Sequence, residues 1–157
     1  MLHHVSVGVR DVERAALFYD AVLAALGYKR VMEFLPYAVA YGVTQPSFWI
    51  QLPHDQQVAS PGNGTHVSFV GRTRNAVNRF HKTALEKGGI DNGSPGPRPD
   101  YGPDYYGAFV IDLDGNKIEA TLLPEASREK SPKMPVRKAA RKAAKKAPAK
   151  KKKAKRR

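Results

Sequence analysis

Apolar and polar residues alternate near the start of the chain. Val5, Val7 and Val9 fall on one side of an extended backbone, and His4 and Ser6 fall on the other. A period of two predicts a half-buried β-strand whose valines face a core. The two polar side chains are therefore expected to point away from that core.

A helical pattern follows this strand. Asp11 stands where it can cap a helix that continues to about Leu26, and Gly27 stands where a helix C-terminus favours glycine. Apolar residues recur in the helix at intervals of three and four, namely Val12, Ala15, Ala16, Tyr19, Val22, Leu23 and Leu26. Strand-like runs follow at 29–34, 38–41 and 48–52. The stretch 53–64 is rich in Pro, Gly and Gln and is predicted to be a linker.

The same order of elements then starts again. His66 opens a second alternating run, and a second helical pattern covers 74–87. Phe80 lies fourteen residues after His66, as Phe18 lies fourteen residues after His4. This equal offset indicates an internal repeat.

The second unit ends in a predicted hairpin. Strands at 105–113 and 117–123 flank the turn 114–116, in which Asp-Gly supplies the positive φ that a tight turn needs. The Gly- and Pro-rich run 91–104 is predicted to be a loop at the rim of a pocket. Each unit is thus predicted to be a strand, a helix and three strands.

Other aromatic and histidine residues have simpler predicted places. Phe18, Tyr19 and Phe80, on the two predicted helices, are expected in the core. His54, in the linker, and His81, on the second helix, are expected at the surface.

The composition divides the chain at about residue 124. From Arg128 onward sixteen Lys and Arg accompany one acid, Glu129, whereas the preceding part carries eleven basic and thirteen acidic residues. The net charge of +13 therefore belongs to the tail, and residues 1–123 are mildly acidic. A tail of Lys, Ala and Pro buries too little apolar surface to fold, so 124–157 is predicted to be a disordered basic arm. The chain has no cysteine, which excludes disulfides and thiolate chemistry.

Two such units in order resemble the vicinal oxygen chelate superfamily of glyoxalases, bleomycin-resistance proteins and extradiol dioxygenases. The resemblance is carried by HVSVGVRD at 4–11, HVSF at 66–69 and DLDGNKIE at 112–119. The strand YYGAFV at 105–110 is similar to one in a glyoxalase-like branch of unassigned function. The resemblance implies an α+β fold in which two βαβββ modules form a cupped, barrel-like sheet of eight strands with the helices outside.

The resemblance also implies a site on the cupped face. The metal positions of the family correspond to His4, Gln51, His66 and Glu119, and the implied ligands to a divalent ion (Zn, Fe, Ni, Co or Mn) are His4, His66 and Glu119. Such an ion would polarise a substrate carbonyl, and Glu119 would be catalytic as a general base. Gln51 replaces a glutamate of the metal-dependent glyoxalases, which argues against the glyoxalase reaction proper. The alternative is a metal-free cup in which both histidines bond to Glu119.

Further candidates line the predicted pocket beside Gln51. Trp49 lies on the same side of its predicted strand as Gln51, and it either stacks on a ligand or packs against its neighbours. Tyr101, Tyr105 and Tyr106 offer aromatic faces and hydroxyl groups. In the rim, Arg98 either meets an anionic substrate or is solvated.

Three functions compete at this stage. The first is a metal-dependent lyase, isomerase or dioxygenase that acts on a small oxygenated metabolite. The second is a metal-free protein that binds an aromatic or drug-like molecule, as bleomycin-resistance proteins do. The third is a dimeric domain whose tail binds nucleic acid. The repeated histidine favours the first, and the resemblance implies a homodimer.

The tail and the chain start bear on partners and location. Sixteen cations on the arm 128–157 would neutralise phosphates with little sequence preference, so non-specific binding of nucleic acid or another polyanion is expected. The alternative is a solubilising extension. No secretory signal and no apolar run long enough to span a membrane is seen. A bacterial cytoplasmic location is expected, with association to the nucleoid through the tail.

Overall fold

The computed structural model describes residues 2–122, and the predicted tail 124–157 lies outside the described residues. The first module consists of β1 (Val5–Gly8), α1 (Val12–Ala24), β2 (Lys29–Phe34), β3 (Ala38–Gly42) and β4 (Phe48–Gln51). The second consists of β5 (His66–Gly71), α2 (Arg74–Glu86), β6 (Ile90–Pro97), β7 (Tyr106–Ile111) and β8 (Lys117–Leu122). The α+β class and the two βαβββ modules are confirmed.

The two modules have the same sheet topology. The strand order is β1-β4-β3-β2 in the first sheet and β5-β8-β7-β6 in the second. In each sheet the first strand pairs in parallel with the last, and the other pairs are antiparallel. No strand of one sheet pairs with a strand of the other within residues 2–122, so the eight strands form two sheets and not one closed sheet.

Both helices begin where the sequence predicts and end one or two residues before the predicted positions, at Ala24 and Glu86. Asp11 caps α1 by accepting a hydrogen bond from the backbone N–H of Arg14 at 2.9 Å. Thr73 caps α2 in the same way through the N–H of Ala76 at 3.1 Å. Gly27 follows α1 with a φ of 87°, the left-handed conformation that glycine adopts at low cost.

One hydrophobic core joins the modules. Phe18 and Phe80 are buried in it, as predicted for these two helical residues. The rings of Phe48 and Phe69, one from each sheet, meet edge to face with centroids 4.9 Å apart. No helix within residues 2–122 is long and apolar enough to cross a membrane.

The predicted rim loop 91–104 is wrong in its first half. Residues Ile90–Pro97 form the strand β6, which pairs antiparallel with β7 through a register that shifts twice. The sequence IDNGSPGP lacks the alternation of a strand because β6 is an edge strand, where proline and glycine are tolerated. Only a short turn, Pro99–Tyr101, follows before β7.

The prediction that His81 lies at the surface is also wrong. The residue is only 7% exposed because this face of α2 packs against β6. His81 Nε2 lies 2.8 Å from Asp91 Oδ1, which also accepts a hydrogen bond from the N–H of Gly93 at 2.9 Å. The pair therefore fastens the irregular edge strand to the helix.

The His81–Asp91 pair is expected to make the stability of the protein depend on pH in the acidic range. Hydrogen bonds from His81 and from the N–H of Gly93 lower the pKa of Asp91 from 3.8 to about 2. Since the folded-state pKa lies below the unfolded one, the stabilisation is present above the unfolded pKa and is lost as the pH falls through the folded pKa. Asp91→Asn is expected to lower Tm at neutral pH, and the difference from wild type should shrink as the pH falls from 3.8 to about 2.

Thermal denaturation followed by circular dichroism from pH 7 to pH 2 checks this expectation. Asp100→Asn is the matched control because Asp100 is exposed in the turn after β6. Equal Tm values for wild type and Asp91→Asn at neutral pH would contradict it.

Candidate functional site

The sheet of the second module has one face against the core and one that we call the open face. The open face carries His66, Phe109, Lys117 and Glu119, which strand pairing places side by side. Glu119 on β8 pairs with Phe109 on β7, and Lys117 pairs with His66 on β5. Their strand neighbours, such as Ile118, enter the core.

Glu119 is the centre of this group. The residue is only 1% exposed, and its two oxygens have separate partners. The hydroxyl of Tyr105 donates to Oε1 at 2.5 Å, and His66 Nε2 lies 3.3 Å from Oε2. The His66 side chain is 46% exposed, so a buried carboxylate stands behind an imidazole that reaches solvent.

Gly107 makes room for this arrangement. A Cβ atom at position 107 would lie 2.9 Å from Glu119 Oε1 and 3.1 Å from Cε1 of the Tyr105 ring, too close to both. Burial, and then the hydrogen bond to Glu119, raise the pKa of Tyr105. The phenol therefore stays protonated at neutral pH and donates to the carboxylate.

The distance between His66 Nε2 and Glu119 Oε2 is suitable for two atoms that bind the same cation. Two ligand atoms that bind an ion at about 2.0–2.1 Å with a tetrahedral angle lie about 3.3 Å apart. His66 Nε2 and Glu119 Oε2 have this separation, which is longer than a typical charge-assisted hydrogen bond. Within residues 2–122 of one chain, no group of three or more His, Asp or Glu side chains is close enough to hold an ion. Within this part of the chain, His66 and Glu119 are therefore two adjacent groups that could bind an ion, without a third beside them.

The remaining predicted ligand lies in the first module. His4 precedes β1, and its ring lies 6.5 Å from the ring of Trp49. Trp49 stacks on Phe34, with ring centroids 6.2 Å apart and an interplanar angle of 17°. Gln51 ends β4 in register with Gly8. These residues form a second cluster, on a sheet separate from His66 and Glu119.

The predicted pocket tyrosines divide between two faces. Tyr101 is 64% exposed and meets the Tyr105 ring edge to face at 5.2 Å, beside the site. Tyr106 points the other way, because its hydroxyl donates to Asn78 at 2.8 Å and its ring lies under Arg74. Adjacent residues of a strand face opposite sides, so only one of the pair 105 and 106 can reach Glu119.

Sequence reasoning missed Phe109 and Lys117. The Lys117 ammonium lies 5.0 Å from the centroid of the Phe109 ring, and the predicted rim residue Arg98 lies 5.7 Å from it. Both missed residues share strand parity with Tyr105 or Glu119, which was the available signal. A cavity of about 450 Å³ opens beside them, between His66, Lys117 and the linker segment 61–65.

A larger cavity lies away from these residues. It has a volume of about 850 Å³ and is formed by the linker and the ends of β1 and β4. None of the predicted site residues lines it. Of the open-face residues, His66 and Lys117 line the smaller cavity, so the open face beside it is the candidate site.

The motif DLDGNKIE at 112–119 has a structural role in this fold. Asp112 is buried and accepts hydrogen bonds from the Tyr19 hydroxyl at 2.7 Å and from the backbone N–H groups of Asp114 and Asn116 at 2.9 and 2.7 Å. Burial, and then the charge of Asp112, raise the pKa of Tyr19 well above its ordinary value. The phenol of α1 therefore stays protonated and donates to the hairpin of the second module.

Two further contacts tie this hairpin to the end of β1. The Asn116 side chain donates to the carbonyl of Gly8 at 3.2 Å. Arg10 donates through Nε to Asp114 Oδ1 at 2.7 Å. The motif thus holds the two modules together.

A paired βαβββ fold with a buried glutamate beside a histidine on one open face defines a protein of the glyoxalase-like class. The family model of the Glyoxalase/Bleomycin resistance protein/Dioxygenase superfamily matches residues 1–120. The chain belongs to this superfamily.

Solved structures agree with this assignment. A glyoxalase/bleomycin resistance protein from Albidiferax ferrireducens T118 is 35% identical, with a TM-score of 0.68 over 77% of this chain and 97% of that one. A lactoylglutathione lyase from Agrobacterium tumefaciens is 14% identical, with a TM-score of 0.56 over 78% and 92%. The fosfomycin resistance protein FosX from Mesorhizobium loti is 17% identical, with a TM-score of 0.56 over 82% and 97%. The last two support the fold alone, and no curated protein matches the chain significantly.

Proposed function

We propose that the protein is a metal-dependent lyase, isomerase or dioxygenase that acts on a small oxygenated metabolite. The observation that carries this proposal is the 3.3 Å separation of His66 Nε2 and Glu119 Oε2, with the carboxylate buried and oriented by Tyr105. The contacts with Tyr105 and His66 leave further lone pairs on this buried carboxylate, and a cation as third partner would offset the cost of burying its charge.

His66 and Glu119 would hold the ion together with His4. A bound divalent ion would act as a Lewis acid on a substrate oxygen. Because Tyr105 occupies Oε1, the free lone pairs of Glu119 Oε2 are the ones available to the ion or to a substrate proton. His66, whose side chain is 46% exposed, is the member of this pair that a small molecule can contact directly.

The proposal requires two copies of the chain. In a homodimer, the first module of one copy would face the second module of the other and bring His4 and Gln51 to the partner's site. An apolar surface on the first module supports this arrangement, since Phe34 is 55% exposed although it stacks on Trp49. Exposed aromatic groups of this kind are typical of interfaces.

Metal analysis tests the proposal. Protein purified without a chelating tag and reconstituted with Zn, Fe, Ni, Co or Mn is expected to retain near-stoichiometric metal, and His66→Ala is expected to lose it. His54→Ala is the matched control, because His54 is an exposed linker histidine outside the site. Absence of metal from the reconstituted wild type would rule the proposal out.

A mixing experiment tests the shared site. His4→Ala and His66→Ala chains are each expected to bind little metal, but after co-refolding about one quarter of the wild-type metal should return. The reason is that half of the dimers are mixed, and each mixed dimer holds one intact site. No recovery, with mixed dimers detected by mass spectrometry, would place all ligands within one chain.

The cluster around Trp49 favours a second candidate function. A planar aromatic molecule could extend the stack formed by Trp49 and Phe34, which would suit metal-free sequestration of a drug-like compound. Tight binding of such a compound by protein that takes up no metal would support this candidate over the first.

We further propose that the tail 128–157 binds polyanions. Its sixteen Lys and Arg against one acid support this proposal, since phosphate neutralisation releases counterions. Fluorescence anisotropy with duplex DNA is expected to show binding by the full chain that weakens steeply with salt, and little binding by residues 1–127. Equal affinity of the two proteins would refute the tail as the binding segment.

A further inference from the structure

Two cations lie over the ring of Phe109 on the open face. The Arg98 guanidinium and the Lys117 ammonium lie 5.7 and 5.0 Å from the centroid of the Phe109 ring. The same ring lies 6.4 Å from His66 and pairs in register with Glu119. Both positive charges therefore lie over the buried Phe109 ring, beside His66 and Glu119.

Backbone atoms hold Arg98 in this position. Its Nη2 donates to the carbonyl of Ser94 at 2.7 Å, and its Nη1 donates to that of Pro97 at 3.1 Å. Cβ atoms at Gly93 and Gly96 would lie 3.4 and 3.1 Å from these nitrogens, so the glycines of β6 clear the space for the guanidinium. An arginine side chain has five N–H donors, and the two backbone carbonyls accept hydrogen bonds from two of them.

Neither cation is neutralised within residues 2–122. No carboxylate of this part of the chain forms an ion pair with Arg98 or Lys117, although Arg10, Arg30 and Lys82 each have an acidic partner. An arginine that is positioned by carbonyls and not by a carboxylate keeps its charge available for a ligand.

We propose that Arg98 and Lys117 are specificity-determining residues that select an organic anion. The anionic group would accept hydrogen bonds from the guanidinium and from the ammonium, which both lie over the buried ring of Phe109. Carboxylate and phosphoryl groups share the required chemistry, because both accept paired hydrogen bonds from a guanidinium. This inference rests on the proposed function for the location of the site, but it does not depend on the metal.

Ligand binding by the full chain, treated with chelator at fixed ionic strength, tests the inference. Fluorine NMR is expected to show that 4-fluorobenzoate binds at least about tenfold more tightly than the neutral 4-fluorobenzamide. Arg98→Gln and Lys117→Gln are each expected to weaken benzoate binding by about tenfold and to leave the amide unchanged. Lys82→Gln, on the exposed surface of α2, is the matched control.

Competition distinguishes the two kinds of anion. Displacement of 4-fluorobenzoate by inorganic phosphate at a lower concentration than by acetate assigns a phosphoryl group, and the reverse order assigns a carboxylate. Equal affinities for benzoate and benzamide in the wild type, or no loss in either glutamine variant, would overturn the inference. Since the protein is metal-free in this assay, a failed metal analysis with retained anion selectivity would refute the proposed function alone.

Discussion

Replacing Asp112 with alanine is expected to lower the free energy of unfolding by about 3–5 kcal/mol. The substitution leaves the buried hydroxyl of Tyr19 and the backbone N–H groups of Asp114 and Asn116 without their acceptor. Each unsatisfied buried donor costs about 1–3 kcal/mol. The loss is large because one carboxylate serves α1, the hairpin turn and the junction of the modules at the same time.

Urea denaturation measures this effect, and a double-mutant cycle identifies its cause. Tyr19→Phe alone is expected to cost about 1 kcal/mol, and in the Asp112→Ala background it should cost less because the bond is already absent. Asp104→Ala, in the exposed segment before β7, is the matched control. Full additivity of the two substitutions would show that the Tyr19–Asp112 bond contributes nothing to stability.

The sequence predicts those features of the fold that depend on local periodicity. The alternation from His4 to Val9 and the equal spacing of Phe18 and Phe80 predict the repeat without knowledge of packing, because core-facing positions recur at the period of the element. The structure confirms both. The strand β6 was not predicted because its sequence lacks the alternation of apolar and polar residues. Its glycines and prolines suit an edge strand, and the Ser94 carbonyl of this strand accepts a hydrogen bond from Arg98.

The candidate site is only partly predictable for a different reason. Parity and pairing within one sheet bring His66 to Glu119, and the structure confirms that contact. The position of His4 relative to this pair depends on how two sheets pack, and strand parity contains no such information. The role of Tyr105 follows from the space that Gly107 leaves, which is visible only in three dimensions.

Glu119→Gln is expected to weaken metal binding by at least about 100-fold while the fold remains intact. The amide oxygen of glutamine can still accept the hydrogen bond from Tyr105, but the negative charge that attracts a cation is gone. Because the substitution also removes the cost of burying a charge, Tm in the absence of metal is expected to stay the same or to rise.

Titration of apo protein against a metal-binding dye, together with thermal denaturation, measures both quantities. Glu86→Gln is the matched control, since Glu86 lies on the exposed face of α2 in an ion pair with Lys82. Tyr105→Phe, which removes the donor that orients the carboxylate, is expected to weaken the metal by about tenfold. Unchanged metal affinity in Glu119→Gln would exclude Glu119 as a ligand, whereas lost affinity with unchanged Tm would mean that this carboxylate is buried for binding and not for stability.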